Sequence, residues 1–322
     1  MANYDTSSEK DGILREDQIY TWLSNNNAQC HYQEAPFQFV QKMAQNVELY
    51  VKCRMPDDAS EGNVYLKNIP LLAGKSYKLH LMLLLAASNM NSEAFAKFKS
   101  ILESVVYYTV IDKIATNITE RTFALWCRDV RNIITVEDLD CFVKNTIIPT
   151  VNDWKLDNKS NFLRLGLNSM QQYRIKFILG KITAYVDALK LGKTTVEDLT
   201  TYTETAVEIE HIMPQTCTDK ELYGMDEEEF SVYINRLGNL TLLENTINRS
   251  IQNDVYTNKA TYYKQSKFYI TSSISELVNL GQDTAINRTN SLLSSWSDWN
   301  KQAIEERQEM FYRLSEMIWE LR

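Results

Sequence analysis

Glu210 and His211 stand side by side, with Pro214 three residues beyond the histidine. Asn239 follows inside a Gly-Asn-Leu tripeptide, Asn248 comes nine residues later with Arg249 beside it, and Lys259 lies eleven residues past Asn248. An imidazole titrates near neutrality and could serve as a general base. A carboxylate and an amide carbonyl are hard oxygen ligands that suit Mg²⁺ and tolerate Mn²⁺. Phosphodiester hydrolysis needs a deprotonated water in line and a cation on the scissile phosphate and leaving oxygen. His211 could supply the base, Glu210 and Asn248 the ligands, and Asn239 a hydrogen bond that fixes the loop carrying the histidine. Lys259 and Arg249 could grip phosphates.

Each residue also has a plain reading. A lone histidine in a strand is more often packed and hydrogen-bonded than catalytic, and asparagines beside glycines usually serve turns. The conjunction of acid, histidine, proline, Gly-Asn-Leu and a second asparagine is what favours chemistry. Geometry sets a condition on it. Neighbours on a regular strand point to opposite faces, so Glu210 and His211 can cooperate only where the strand ends or twists, and Pro214 is consistent with an end. If one helix ran from Ile247 through Lys259, Asn248 and Lys259 would share a face three turns apart.

The elements that must position these residues differ from the rest of the chain. Residues 205–212 alternate at period two, the mark of a strand. Asp226 to Arg236 reads as a helix with acids in its first turn and Gly238 past its end. Leu240 to Leu243 is a second strand, and helix resumes at Thr246, giving a ββα order. Upstream, apolar spacing of three and four predicts helices: Phe37, Val40, Met43, Ala44, Val47 and Tyr50 after Pro36, and a longer one after Ser92, its candidate N-cap. Leu79 to Ala87 is nearly continuously apolar. From Thr289 a long tail helix is expected with Trp296, Trp299, Ala303, Met310 and Leu314 on its stripe. Arg307 falls on the same stripe, where a charge is expensive unless paired, so an ion pair is expected there.

The chain has 322 residues, a net charge of −8, five cysteines and three histidines. That balance argues against a wholly basic DNA-coating surface but not against a local basic patch. Residues 151–195 carry eight basic against three acidic side chains, a local +5. The cysteines form no C-x-x-C pair, so no structural zinc and no disulfide framework are expected. The polar start has no signal-peptide pattern and no apolar run is long enough to span a bilayer, so a cytoplasmic protein without membrane attachment is expected.

The motif EHIMPQ…LGNLTLLENTINRS…K…Y..S resembles that of His-Asn-His (HNH, ββα-metal) nucleases. More specifically, it resembles the C-terminal nuclease region of GmrSD-type modification-dependent restriction enzymes, a group that includes SspE-type phage-defence proteins. HLMLLLAASN and QQYRIKFILGKI stand upstream in the order expected of that group, and the tail also resembles its ending. The resemblance implies His211 as general base, Glu210 and Asn248 as Mg²⁺ (or Mn²⁺) ligands and Asn239 as the residue orienting the loop. It further implies cutting or nicking of DNA, commonly phage or modified DNA, in bacterial antiviral restriction. The family's upstream nucleotide-binding domain, with its D-G-Q-Q-R signature, has no counterpart here, so the chain is expected to be the C-terminal part of such a protein.

The expected fold is mainly α: a disordered lead-in over 1–14, a helical domain over 15–200, an HNH ββα-metal core over 201–275, and docking helices over 276–322. The competing expectation is a helical DNA-binding or protein-interaction module whose HNH fold is inactive.

Overall fold

The apolar spacing does build helices, and the chain is mainly α with one two-stranded sheet among the described residues. The structure is a computed structural model that describes residues 14, 16–57, 61–193, 198–216, 223–251 and 253–322. The expected lead-in, apart from Leu14, lies outside the described residues, as does Cys217. The chain divides into two compact units. One comprises the described residues of Met1–Leu156 with Leu321–Arg322, and the other is Asp157–Glu320. The division thus falls at 156/157, whereas the sequence expectation put it near 200.

The first unit is helical. Helix α1 (Pro36–Arg54) begins with its proline in the first turn, where the missing N–H is no loss. The helix forms as its spacing predicts, yet on its apolar face Phe37, Val40, Met43, Val47 and Val51 are all exposed and Cys53 is its buried residue. Periodicity shows that a helix has an apolar face; it does not say that another element covers it. Helices α2 (Asn63–Ala73) and α4 (Ser92–Ile111) pack together, and their Leu66, Ile69, Leu72, Phe98 and Leu102 are all essentially inaccessible. Asn91 rather than Ser92 caps α4, its side chain accepting the Ala94 N–H at 2.8 Å. Helix α3 (Leu79–Ala86) is apolar nearly all round, as a helix buried on most sides must be, and lies against α5 (Thr116–Val130). His80 sits in this core, its ring parallel to that of Tyr77 with centroids 5.6 Å apart.

The second unit is built round α6 (Gln172–Lys190), which is buried over most of its length and contacts the sheet. Strand β1 (Val207–His211) pairs antiparallel with β2 (Leu240–Glu244), with His211 opposite Leu240 and Glu210 opposite Thr241. Between them runs α7 (Glu227–Tyr233), capped by the Asp226 side chain and started by three glutamates that complement its N-terminus. After β2 come α8 (Asn245–Ile251), which contacts both strands, and α9 (Tyr256–Tyr263). The tail helix α10 (Lys301–Ile318) starts later than its apolar stripe suggested, because Asn300 caps it by accepting the Ala303 N–H at 3.0 Å. No described helix is long and apolar enough to cross a membrane.

Candidate active site

Strand β1 ends at His211, and the residues after it are held by one asparagine. Ile212 still donates its N–H to the Asn239 carbonyl at 2.9 Å, after which the chain turns away. Asn239 is fully buried, and its side-chain oxygen accepts from the Met213 N–H at 2.8 Å and from the Trp299 indole at 2.9 Å. Its amide nitrogen donates to the Ile234 carbonyl at 2.8 Å. The loop over 212–214 and the end of α7 therefore hang on a single side chain whose polar atoms are satisfied, which is what burial of an amide requires.

The tail helix fixes Asn239 in turn. Gly238 lies so close to α10 that a Cβ there would fall 2.2 Å from the Ile304 carbonyl oxygen, so no larger residue fits. Gln308 accepts the Gly238 N–H at 2.9 Å and donates to the Phe162 and Leu165 carbonyls. Arg307 is fully buried and donates to the Gly238 and Leu240 carbonyls at 2.9 and 2.7 Å. Its guanidinium lies over the Phe311 and Trp299 rings. The expected ion pair is absent among the described residues: carbonyl dipoles and aromatic faces take the place of a carboxylate.

On one face of β1, the His211 ring is mostly buried, with the Gln215 side-chain amide 2.9 Å from Nδ1. Gln215 is exposed, so this side of the ring borders solvent. Burial lowers the His211 pKa; a hydrogen bond with the Asn235 side chain opposes that shift, and the charge of Lys259 adds to it. Asn235 is itself anchored, its carbonyl accepting the Leu167 N–H at 2.9 Å beside an isolated bridge from Gly166 to Arg236.

The other face carries the acids. Glu210 Oε1 accepts from Lys259 Nζ at 2.7 Å and from the Tyr263 hydroxyl at 3.0 Å. Lys259 Nζ also donates to the His211 carbonyl at 2.7 Å. Burial first, and then the Glu210 charge, hold the Tyr263 hydroxyl well above its usual pKa, so it remains a donor. Two residues earlier on the same face, Glu208 Oε2 accepts from the Asn248 amide at 2.7 Å.

Of the residues singled out from the sequence, Glu210, His211, Asn239, Asn248 and Lys259 thus gather about the end of β1 and the helices after β2. Asn248 bonds to Glu208, where the sequence reading paired it with Glu210 in holding a metal. Asn248 and Lys259 do not share one helix, because the chain breaks between α8 and α9. Asp254 marks the break, accepting from the Val255 N–H and from the Asn258 side chain. Lys259 is 1 % exposed, whereas Arg249 is exposed.

Glu208, Gln215, Asn235, Tyr263 and Trp299 were not assigned roles from the sequence. Two carried a signal: Glu208 lies two before Glu210 on the strand, and Tyr263 one turn after Lys259 on a helix. The basic stretch over 151–195 is not a single phosphate-facing array. Lys176 donates to the Glu204 and Val207 carbonyls, Lys159 pairs with Glu309, and Lys181 is buried.

Among the described residues no three His, Cys, Asp or Glu side chains are clustered to hold a metal. The donors present, Glu208, Glu210 and Asn248, are oxygen ligands only. Donors of that kind are ones a hard ion takes, and one Glu210 oxygen is engaged by Lys259.

A family model described as GmrSD restriction endonucleases, C-terminal domain, matches residues 152–314, just over half of the chain. No curated protein matches the sequence.

Proposed function

The chain belongs to the family of GmrSD restriction endonuclease C-terminal domains, and on that premise we propose that its second unit is an HNH (ββα-metal) nuclease that hydrolyses a DNA phosphodiester bond. His211 is the general base. Its lowered pKa keeps the ring neutral and able to accept a proton from the attacking water at neutral pH. Gln215 and Asn235 set the ring's orientation, and Asn239 holds the loop over 212–214 that comes after it.

Glu210 and Asn248, with Glu208 beside Asn248, would hold Mg²⁺ or Mn²⁺. When bound, the ion supplies charge neutralisation at the phosphate and the leaving oxygen. Arg249, which is exposed, would meet a flanking phosphate. One base and one set of donors per chain act on one strand per event, so the product is a nick. The setting is a bacterial anti-phage restriction system acting on phage or modified DNA in the cytoplasm, with sensing left to an upstream nucleotide-binding domain.

The observation that carries this reading is the ending of β1 at His211, with the loop that follows gripped by Asn239. The test is a supercoiled-plasmid assay with Mg²⁺, Mn²⁺ or EDTA, wild type beside His211→Ala. Nicked circles that need metal and vanish in the variant are expected. Cutting that survives His211→Ala sinks the assignment.

One observation favours a second reading, a DNA-binding or interaction module with an inactive nuclease fold: Glu210 already has a buried cationic partner in Lys259. That reading predicts salt-sensitive DNA binding and no metal-dependent product.

A further inference from the structure

The type and position of Lys259 suggest a phosphate contact, but its surroundings do not. It is 1 % exposed, so a DNA phosphate could not meet its ammonium without opening α9. An ammonium has three N–H groups to place, and two are placed here, on Glu210 Oε1 and on the His211 carbonyl, each at 2.7 Å.

Those two acceptors belong to adjacent residues whose side chains leave β1 on opposite faces. The carbonyl of His211 and the N–H of Ile212 lie in one peptide plane. Lys259 grips that plane by its oxygen, and the Asn239 carbonyl grips it by its N–H at 2.9 Å. With the plane fixed at both edges, the direction in which the chain leaves His211 is fixed as well. The same ammonium sets the Glu210 carboxylate, and Tyr263, one turn further along α9, adds a second bond to the same oxygen.

We infer that Lys259 is a positioning residue, a buried lock that holds the Glu210 carboxylate and the His211 backbone in one geometry, and that it does not touch DNA. The kinetic part of this inference rests on the nuclease reading above; the rest does not.

The experiment uses the full chain, with Arg249→Ala as the reference for a phosphate contact. Duplex DNA binding is measured in EDTA across a salt series, and nicking is measured with Mn²⁺. For Lys259→Met the slope of log affinity against log salt is expected to match wild type. In Arg249→Ala it should fall by about one. The nicking kcat of Lys259→Met should drop about a hundredfold at an unchanged KM, the size of effect that a misplacement of about 1 Å produces. Tyr263→Phe, which loosens Glu210 alone, should show a smaller loss of kcat of the same kind.

A urea-unfolding cycle of Lys259→Met, Glu210→Gln and the pair gives a readout independent of cleavage. Each single change should lower the midpoint, and the double change should recover much of it. A salt slope reduced in Lys259→Met, or an unchanged kcat, overturns the inference. If Lys259→Met alone does not fold, the double variant in the salt series and Tyr263→Phe in the kinetic one decide it. If wild type does not cut DNA, the nuclease reading fails, while the salt slope and the unfolding cycle still decide whether Lys259 is a lock.

Discussion

Two buried histidines, one in each unit, show how the same side chain is handled for different ends. His80 lies in the helical core, stacked on Tyr77, and its Nδ1 has no hydrogen-bond partner among the described residues. Burial, and then the charge of Arg54, depress its pKa to about 4. His211 is also desolvated, but it sits at a strand end with an amide at its ring, a second amide opposing the pKa shift, and an exposed residue beside it. One imidazole is packed in a helical core against a tyrosine ring, with its Nδ1 unbonded. The other is held by hydrogen bonds at the border of solvent. Burial by itself therefore does not separate a core histidine from a candidate base; what surrounds the ring does.

The widest separation between the two should appear in activity. His211→Ala is expected to reduce metal-dependent nicking by about 10²–10⁴-fold, the usual contribution of a general base, with little change in the unfolding midpoint. His80→Leu should leave nicking at the wild-type level. The acid limb of kcat/KM for wild type should fall below the ordinary histidine value of 6.5, because burial lowers the His211 pKa. Equal losses from the two substitutions would erase the distinction.

The second difference is in acid stability. His80 takes up its proton near pH 4 when folded and near 6.5 when unfolded. Between those values the unfolded chain binds the extra proton, so stability falls as pH drops from 6.5 toward 4 and rises in the other direction. The contribution amounts to about 3 kcal/mol across the window, at 1.36 kcal/mol per pKa unit. Unfolding free energies of wild type and His80→Leu, measured at a series of pH values, should differ by an amount that shifts by about 3 kcal/mol in favour of the leucine variant as pH falls through this range. Parallel curves would mean that the fold does not lower the His80 pKa.

Much of the site could be read from the sequence, and the parts that could not share a cause. The alternation around Glu210, the acids opening α7 and the proline after His211 are local signals, and the strand end they imply is where the chain turns. Which partner each side chain finds depends on strand register and on elements far along the chain. The Asn248 to Glu208 bond spans 40 residues, and the Gln308 to Phe162 bond spans 146. The break before α9 did leave a local trace in Asp254, a turn-forming residue whose side chain accepts the N–H of Val255. Arg307 was legible as a charge needing compensation, but not as one compensated by carbonyls and rings. The exposed stripe of α1 shows the limit of periodicity itself: amphipathic spacing gives a face without giving its cover.

The smallest expected effect tests the hydrogen-bonded support behind His211 most selectively. Trp299 donates its indole N–H to the Asn239 side-chain oxygen, which also accepts from the Met213 N–H. Trp299→Phe keeps a large aromatic side chain beside Tyr256 and Arg307 and removes that one donor. The oxygen retains its Met213 bond, so the cost should be that of one neutral hydrogen bond and some lost contact area, about 1 kcal/mol in urea unfolding. Because the bond that remains is the one to the loop after His211, nicking should fall by severalfold at most. Asn239→Leu, of similar size, removes the side-chain bonds to Met213 in the loop and to Ile234, and should cost far more activity than Trp299→Phe. If the two substitutions lowered nicking equally, the indole rather than the asparagine would be the group that holds the loop. The strand end would then be set by the tail helix and not by the Gly-Asn-Leu turn.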